Sequence, residues 1–195
     1  MKKEKKKMKE QLNERMFVAI DNNDIKKLEW LLRLGADVNA VDEYGWTPLI
    51  RATFQNNLRI MRLLLNAKAD INAKDNSGWT ALMIAKEQEA IEVLLEKNAD
   101  VRLRDKIGNT ALMHASKRDK PGIVKTLVQA KSDINAKNKD GNTALMLASE
   151  ANKVNAAKVL VDLGADVNVR NNSGFTAITI AKRNVSVEVA RILNA

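Results

Sequence analysis

The side chains that most often carry out catalysis or bind metals are scarce in this chain of 195 residues. Cysteine is absent and histidine occurs once, as His114, which excludes thiolate nucleophiles, disulfides and zinc sites built on a histidine pair. The glycines form none of the patterns Gly-x-x-x-x-Gly-Lys, Gly-x-Gly-x-x-Gly or Gly-x-Ser-x-Gly. We therefore predict a protein that is not an enzyme and has no catalytic residues, cofactor or metal.

The charge of the chain is concentrated at its start. Of the net charge of +9, the first ten residues contribute +4, from six lysines and two glutamates. The run Lys2–Lys9 could bind nucleic acid or an anionic surface, but it lacks interleaved aromatic residues and an apolar face. A solubilising helical extension is the alternative interpretation. No apolar stretch follows the lysines or is long enough to span a membrane, so we expect a cytoplasmic protein without a signal peptide.

Two short motifs recur along the chain in the same register. The first motif, Gly-x-Thr, begins at Gly45 and returns after 33, 30, 33 and 33 residues. The second, a small residue followed by Asp, begins at Ala36-Asp37 and returns at the same intervals. Two markers in one register indicate a tandem repeat.

Each repeat has the pattern of two short helices. The threonine precedes an apolar run and is predicted to cap a helix, whose large and small apolar residues, such as Leu49 and Ala52, share one face. A more apolar second helix follows, and then a polar turn. The repeat that starts at Gly78 is three residues shorter, and we expect a tightened turn at Lys86–Glu89 between its helices. One helix pair cannot bury its own apolar face, whereas stacked copies can.

The motifs Gly45-Trp46-Thr47-Pro48-Leu49 and Ala69-Asp70-Ile71-Asn72-Ala73 resemble the ankyrin repeat. This resemblance covers nearly the whole chain and implies an all-α solenoid of stacked helix-turn-helix units joined by short hairpin-like turns. We expect a basic N-terminal extension at 1–11 and one domain at 12–195. Its repeats would span 12–44, 45–77, 78–107, 108–140, 141–173 and 174–195.

The resemblance also implies a function, because ankyrin arrays bind other proteins through their concave face and hairpin tips. We therefore expect a monomer that binds a protein partner, not identified by the sequence. The side chains expected on the binding surface are Tyr44, Trp46, Phe54, Trp79, Asn109, Asn142 and Phe175.

Several of these residues have a second interpretation. The aromatic cluster could be a binding hot spot, or its rings could only stack on each other and stiffen the hairpins. His114 and Arg51 occupy a position that is apolar in the other repeats, where a tolerated or water-bonded histidine and a snorkelling arginine are expected. We assign Met83, Met113 and Met146 to the core, and expect Trp30 to be packed or partly exposed. Nucleic-acid binding by the lysines and a purely architectural role remain as alternative functions.

Overall fold

The protein consists of short helices joined by turns. The structure, a computed structural model, describes the backbone of residues 2–194 and the side chains of residues 4–194. Within this range it contains twelve α-helices and no strand, which confirms the all-α prediction. The helices fall into two compact units, Met1–Ala99 and Asp100–Ala195. That residues 12–195 form a single domain stays a prediction.

Each unit holds three helix pairs. In Met1–Ala99 the helices are α1 (Lys2–Asp21), α2 (Ile25–Arg33), α3 (Pro48–Phe54), α4 (Leu58–Asn66), α5 (Ala81–Ile84) and α6 (Gln88–Glu96). In Asp100–Ala195 they are α7 (Ala111–Lys117), α8 (Pro121–Gln129), α9 (Ala144–Glu150), α10 (Val154–Asp162), α11 (Ala177–Arg183) and α12 (Val187–Ile192). Within a unit, the first helices of successive pairs pack side by side, and so do the second helices.

The core of each unit lies between its helix pairs. Leu49 and Ala52 on α3 are 1% and 0% exposed, as their shared helix face predicted. The three methionines that follow the repeat leucines are equally buried, so their assignment to the core is confirmed: Met83, Met113 and Met146. Their unbranched side chains fill the space between neighbouring repeats.

The predicted threonine caps are present at the first helix of five repeats. Thr47 Oγ1 accepts a hydrogen bond from the Ile50 N–H at 3.2 Å, and the other four caps have lengths of 3.3–3.4 Å. Pro48 occupies the first turn of α3, where a missing N–H leaves no partner unsatisfied. The cap fixes where each hairpin ends and each helix begins.

Each hairpin is held together by the side chain of one aspartate or asparagine, three residues before the repeat glycine. In the hairpin of Gly141, Asn138 Oδ1 accepts hydrogen bonds from the N–H groups of Asp140 and Asn142, at 3.0 and 2.9 Å. The amide of Asn138 also donates to Asn109 Oδ1 in the preceding hairpin, at 2.9 Å. Replacing the glycine would strain the turn. Gly141 has φ +78°, and a Cβ would lie 2.7 Å from a backbone nitrogen of the next hairpin.

The short repeat differs from its expected geometry. The connection between α5 and α6 has three residues, as in the other repeats, and the missing residues come from α5, which has four residues where α3 has seven. The predicted tightening of the turn is therefore wrong. Ala85 leaves the helix with ψ 133°, whereas the other connections turn through a residue with positive φ, such as Asn56.

The predicted extension is continuous with the first repeat. Helix α1 runs from Lys2 to Asp21 through the expected boundary at residue 11. Lys9 Nζ also forms an ion pair with Asp37 Oδ2 at 2.9 Å, and Asn13 Oδ1 accepts the Asp37 N–H. These contacts join the lysine-rich helix to the first turn of the array.

The hairpin asparagine generates a prediction for stability. Asn138→Ala removes both hairpin hydrogen bonds and the hydrogen bond that the Asn138 amide donates to Asn109. It is expected to lower the free energy of unfolding by about 3 kcal/mol. Asn138→Asp keeps the acceptor oxygen and is expected to cost about 1 kcal/mol. Urea unfolding followed by circular dichroism measures both values. Equal losses for the two variants would contradict the role assigned to the oxygen.

Candidate binding groove

A groove with a volume of about 690 Å³ crosses the hairpins of the unit Met1–Ala99. All four aromatic residues that the sequence grouped in adjacent repeats line it: Tyr44, Trp46, Phe54 and Trp79. We call it the aromatic groove. Two of these residues are exposed to solvent, with Tyr44 at 64% and Phe54 at 47%.

The tryptophans and the tyrosine are positioned by the hairpin carboxylates. Asp42 Oδ1 accepts the N–H groups of Tyr44 and Trp46, at 2.9 and 2.8 Å. Asp75 Oδ1 holds the Trp79 N–H in the same way, at 2.8 Å. The backbone that carries these side chains is therefore already ordered, and binding would cost little backbone conformational entropy.

Phe54 contacts both an aromatic ring and a cation. Its ring centroid lies 5.1 Å from that of Trp46, with the planes inclined by 56°. The ammonium of Lys86 lies 4.5 Å from the centroid of Phe54. Both arrangements are favourable, the first as a tilted aromatic pair and the second as a cation–π contact. A part of the cluster is thus stacked, as the structural interpretation expected.

Arg51 is fixed by two carboxylates at one side of the groove. Its Nε lies 2.7 Å from Asp21 Oδ1, and its Nη1 lies 2.9 Å from Asp42 Oδ2. Its guanidinium also covers the ring of Phe17 at 5.6 Å. The sequence predicted a snorkelling arginine but not these ion pairs, which tie α3 to α1 and to the preceding hairpin.

The aromatic groove is acidic although the protein is basic. The ionisable side chains that line it are Asp21, Asp42, Glu43, Asp75 and Arg51. Four carboxylates and one guanidinium give a net charge of −3 at the groove, against +9 for the whole chain. This local reversal of sign favours cationic ligands.

Comparison with known protein families identifies the repeat. A model of ankyrin repeats matches the chain in three copies, over residues 16–105, 87–171 and 112–194. The chain belongs to the ankyrin-repeat family. Ankyrin repeats are generally non-enzymatic protein–protein interaction modules. No curated protein matches the chain.

The remaining expected binding residues lie in ankyrin repeats of the unit Asp100–Ala195. Asn142 and Phe175 line a smaller groove of about 220 Å³, in which Arg183 covers the ring of Phe175 at 4.4 Å. Asn109 is only 6% exposed, so its side chain offers little surface to a partner. Its Oδ1 accepts the amide of Asn138, and this contact between hairpins covers it.

Trp30 lies on α2 and is 48% exposed, which agrees with the expectation of a packed or partly exposed residue. The guanidinium of Arg15 on α1 covers its ring at 5.5 Å. Trp30 does not line the aromatic groove. It therefore offers a comparison residue of the same kind outside the groove.

His114 is buried and paired in its ankyrin repeat. It is 7% exposed, and its Nε2 lies 2.8 Å from Asp105 Oδ2. Burial lowers the pKa of His114 below its ordinary value of 6.5, with smaller contributions from Lys117 and Arg118, and outweighs the opposite effect of Asp105. The lowered pKa favours the neutral ring, in which the nitrogen that faces the carboxylate must carry the proton to form this hydrogen bond. The sequence predicted a tolerated histidine but missed this partner.

The residues that sequence reasoning missed share one position. They stand three residues before each repeat glycine, at Asp42, Asp75, Asp105, Asn138 and Asn171. A signal was present, because an aspartate or asparagine recurs there at intervals of 33, 30, 33 and 33 residues. These side chains organise the ankyrin hairpins, and three of them also line a groove: Asp42, Asp75 and Asn171.

The described part of the chain contains neither a metal-binding group nor a helix suited to span a membrane. Among residues 2–194, no group of three or more His, Asp or Glu side chains could hold a metal ion. None of the helices in this range is long and apolar enough to cross a membrane.

The buried histidine predicts how stability depends on pH. Because its pKa is lowered in the folded state, the unfolded chain binds a proton more readily as the pH falls below 6.5. The free energy of unfolding should therefore decrease as the pH falls from 7 through this range. The carboxyl pKa of Asp37, lowered by Lys9, affects stability only below about its ordinary value of 3.8. Urea unfolding at a series of pH values measures the effect.

The chain itself supplies the control for this prediction. His114→Leu combined with Asp105→Asn recreates the pair Leu147 and Asn138 of the next repeat. This double variant should fold and lose the pH dependence that begins near 6.5. An unchanged dependence in the double variant would show that another group is responsible.

Proposed function

We propose that the protein binds a protein partner through the aromatic groove of the unit Met1–Ala99. One observation carries the proposal: four of the seven aromatic residues of the chain line this groove, and two of them, Tyr44 and Phe54, are exposed. Exposed aromatic side chains on a fixed backbone are characteristic of binding hot spots. The residues that we assign to the contact are Tyr44, Phe54, Trp46 and Trp79.

Stacking alone does not account for the composition of the groove. The contact between Trp46 and Phe54 explains why those two rings lie together. It does not explain the hairpin residue Tyr44, which is 64% exposed. Burying such a ring against a partner would gain the free energy of removing its apolar surface from water.

We assign a secondary contact with the partner to Asn142 and Phe175, which line the smaller groove. Asn109 takes no part in it because its side chain is buried. The monomeric state and the cytoplasmic location stay predictions from the sequence.

The experiment is capture of partners by the full chain from a lysate of its source cells, at low and at high salt. The variant Tyr44→Ala/Phe54→Ala removes the two most exposed rings of the groove. We expect the wild type to retain a discrete protein at high salt and the double variant to lose it, because the apolar part of the contact is not weakened by salt. Quantitative mass spectrometry of the retained proteins measures the difference.

Trp30→Ala is the matched control, since it removes an exposed ring outside the groove. It should retain the partner as the wild type does, and circular dichroism should show that all variants fold. Capture of only salt-sensitive nucleic acid or anionic lipid, equally by all variants, would favour the lysine-rich helix instead. Equal retention of the protein by the double variant would refute the proposal.

A further inference from the structure

The hairpin carboxylates that lie opposite a basic residue use their two oxygens for different purposes. Asp42 binds backbone N–H groups through Oδ1 and Arg51 through Oδ2, at 2.9 Å. Asp105 does the same, with His114 at 2.8 Å from its Oδ2. In both repeats the basic partner stands nine residues after the aspartate. One oxygen thus builds the hairpin, while the other pairs with a basic side chain.

Asp75 has no basic residue nine positions later. Its Oδ1 holds the N–H groups of Ser77 and Trp79, both at 2.8 Å. The residue nine positions later is Ile84, and no described side chain forms an ion pair with Asp75. The two repeats that also have an apolar residue there, Leu147 and Ile180, carry a neutral asparagine in place of the aspartate.

The unmatched carboxylate lies in the aromatic groove. Both Asp75 and Ile84 line the groove, together with Trp46 and Trp79. Asp75, Glu43 and the two carboxylates that pair with Arg51 give the lining of the groove its net charge of −3. A cation can also lie against an aromatic ring in this part of the unit, as Lys86 does 4.5 Å from the centroid of Phe54.

We infer that the aromatic groove binds a lysine- or arginine-bearing segment of the protein partner, whose cation pairs with Asp75 Oδ2. This cation takes the place that Arg51 occupies opposite Asp42. Apolar side chains beside it in the segment pack against Trp46 and Phe54. The inference rests on the proposed function and specifies the chemistry of the partner.

The experiment uses a phage library of random peptides, selected on the full chain. We expect the recovered peptides to share a lysine or arginine beside apolar residues. A synthetic peptide of the consensus sequence should bind the wild type, and its Kd should rise about tenfold or more in Asp75→Asn. Isothermal titration calorimetry measures these constants. Asparagine keeps the hairpin acceptor, as Asn138 and Asn171 show in their own hairpins.

Glu43→Gln is the charge-matched control. It removes one negative charge from an exposed residue of the same groove, and the Kd should rise by less than about threefold. Ile84→Arg provides a second test, since it places a cation nine residues after Asp75. We expect this variant to fold and to lose the peptide, because its own guanidinium occupies the carboxylate.

The outcomes separate this inference from the proposed function. Peptides that require Tyr44 and Phe54 but lack a basic residue, or bind Asp75→Asn as tightly as the wild type, would overturn the inference and leave groove binding intact. Peptides that bind Tyr44→Ala/Phe54→Ala as tightly as the wild type would overturn both. So would the recovery of no binding peptide.

Discussion

The structure depends on one repeated hydrogen-bond arrangement, in which a single side-chain oxygen accepts two backbone N–H groups. At Asp42, Asp75 and Asn138, Oδ1 binds the N–H groups two and four residues later, at 2.8–3.0 Å. These donors belong to a turn that no helix or strand satisfies, so without the oxygen they would depend on water. The closed turn then lets the next hairpin attach, as the Asn76 N–H does to the Tyr44 carbonyl at 3.1 Å.

The second polar atom of the same side chain sets the chemistry of each repeat. In Asp42 and Asp105 it is a carboxylate oxygen that pairs with a basic residue, and in Asn138 it is an amide that donates to the preceding hairpin. The geometry of the turn recurs from repeat to repeat. It therefore does not determine which partner the second polar atom of the side chain binds. A change between aspartate and asparagine can alter the surface of a repeat while its hairpin stays intact.

The sequence predicted the features that depend on local periodicity and missed those that depend on partners in other hairpins. Thr47 and Leu49 were assigned correctly, because a cap and an apolar helix face follow from neighbours within four residues. The burial of Asn109 depends on Asn138, which is 29 residues away, and the pairing of His114 depends on the direction of Asp105. Periodicity placed these residues in their repeats but could not show which way the side chains turn.

The two units use equivalent positions in opposite ways. In Asp100–Ala195, the side-chain amide of Asn138 donates a hydrogen bond of 2.9 Å to Asn109 Oδ1 in the preceding hairpin, and this contact covers both polar atoms. The equivalent residues in Met1–Ala99 are Trp46 and Asp75, and an indole cannot make that amide pair with a carboxylate. The groove there measures about 690 Å³, against about 220 Å³ for the one lined by Asn142 and Phe175. In Asp100–Ala195 the two asparagines satisfy each other's hydrogen bonds. Trp46 and Asp75 cannot do so, and their indole ring and carboxylate are left to bind a ligand.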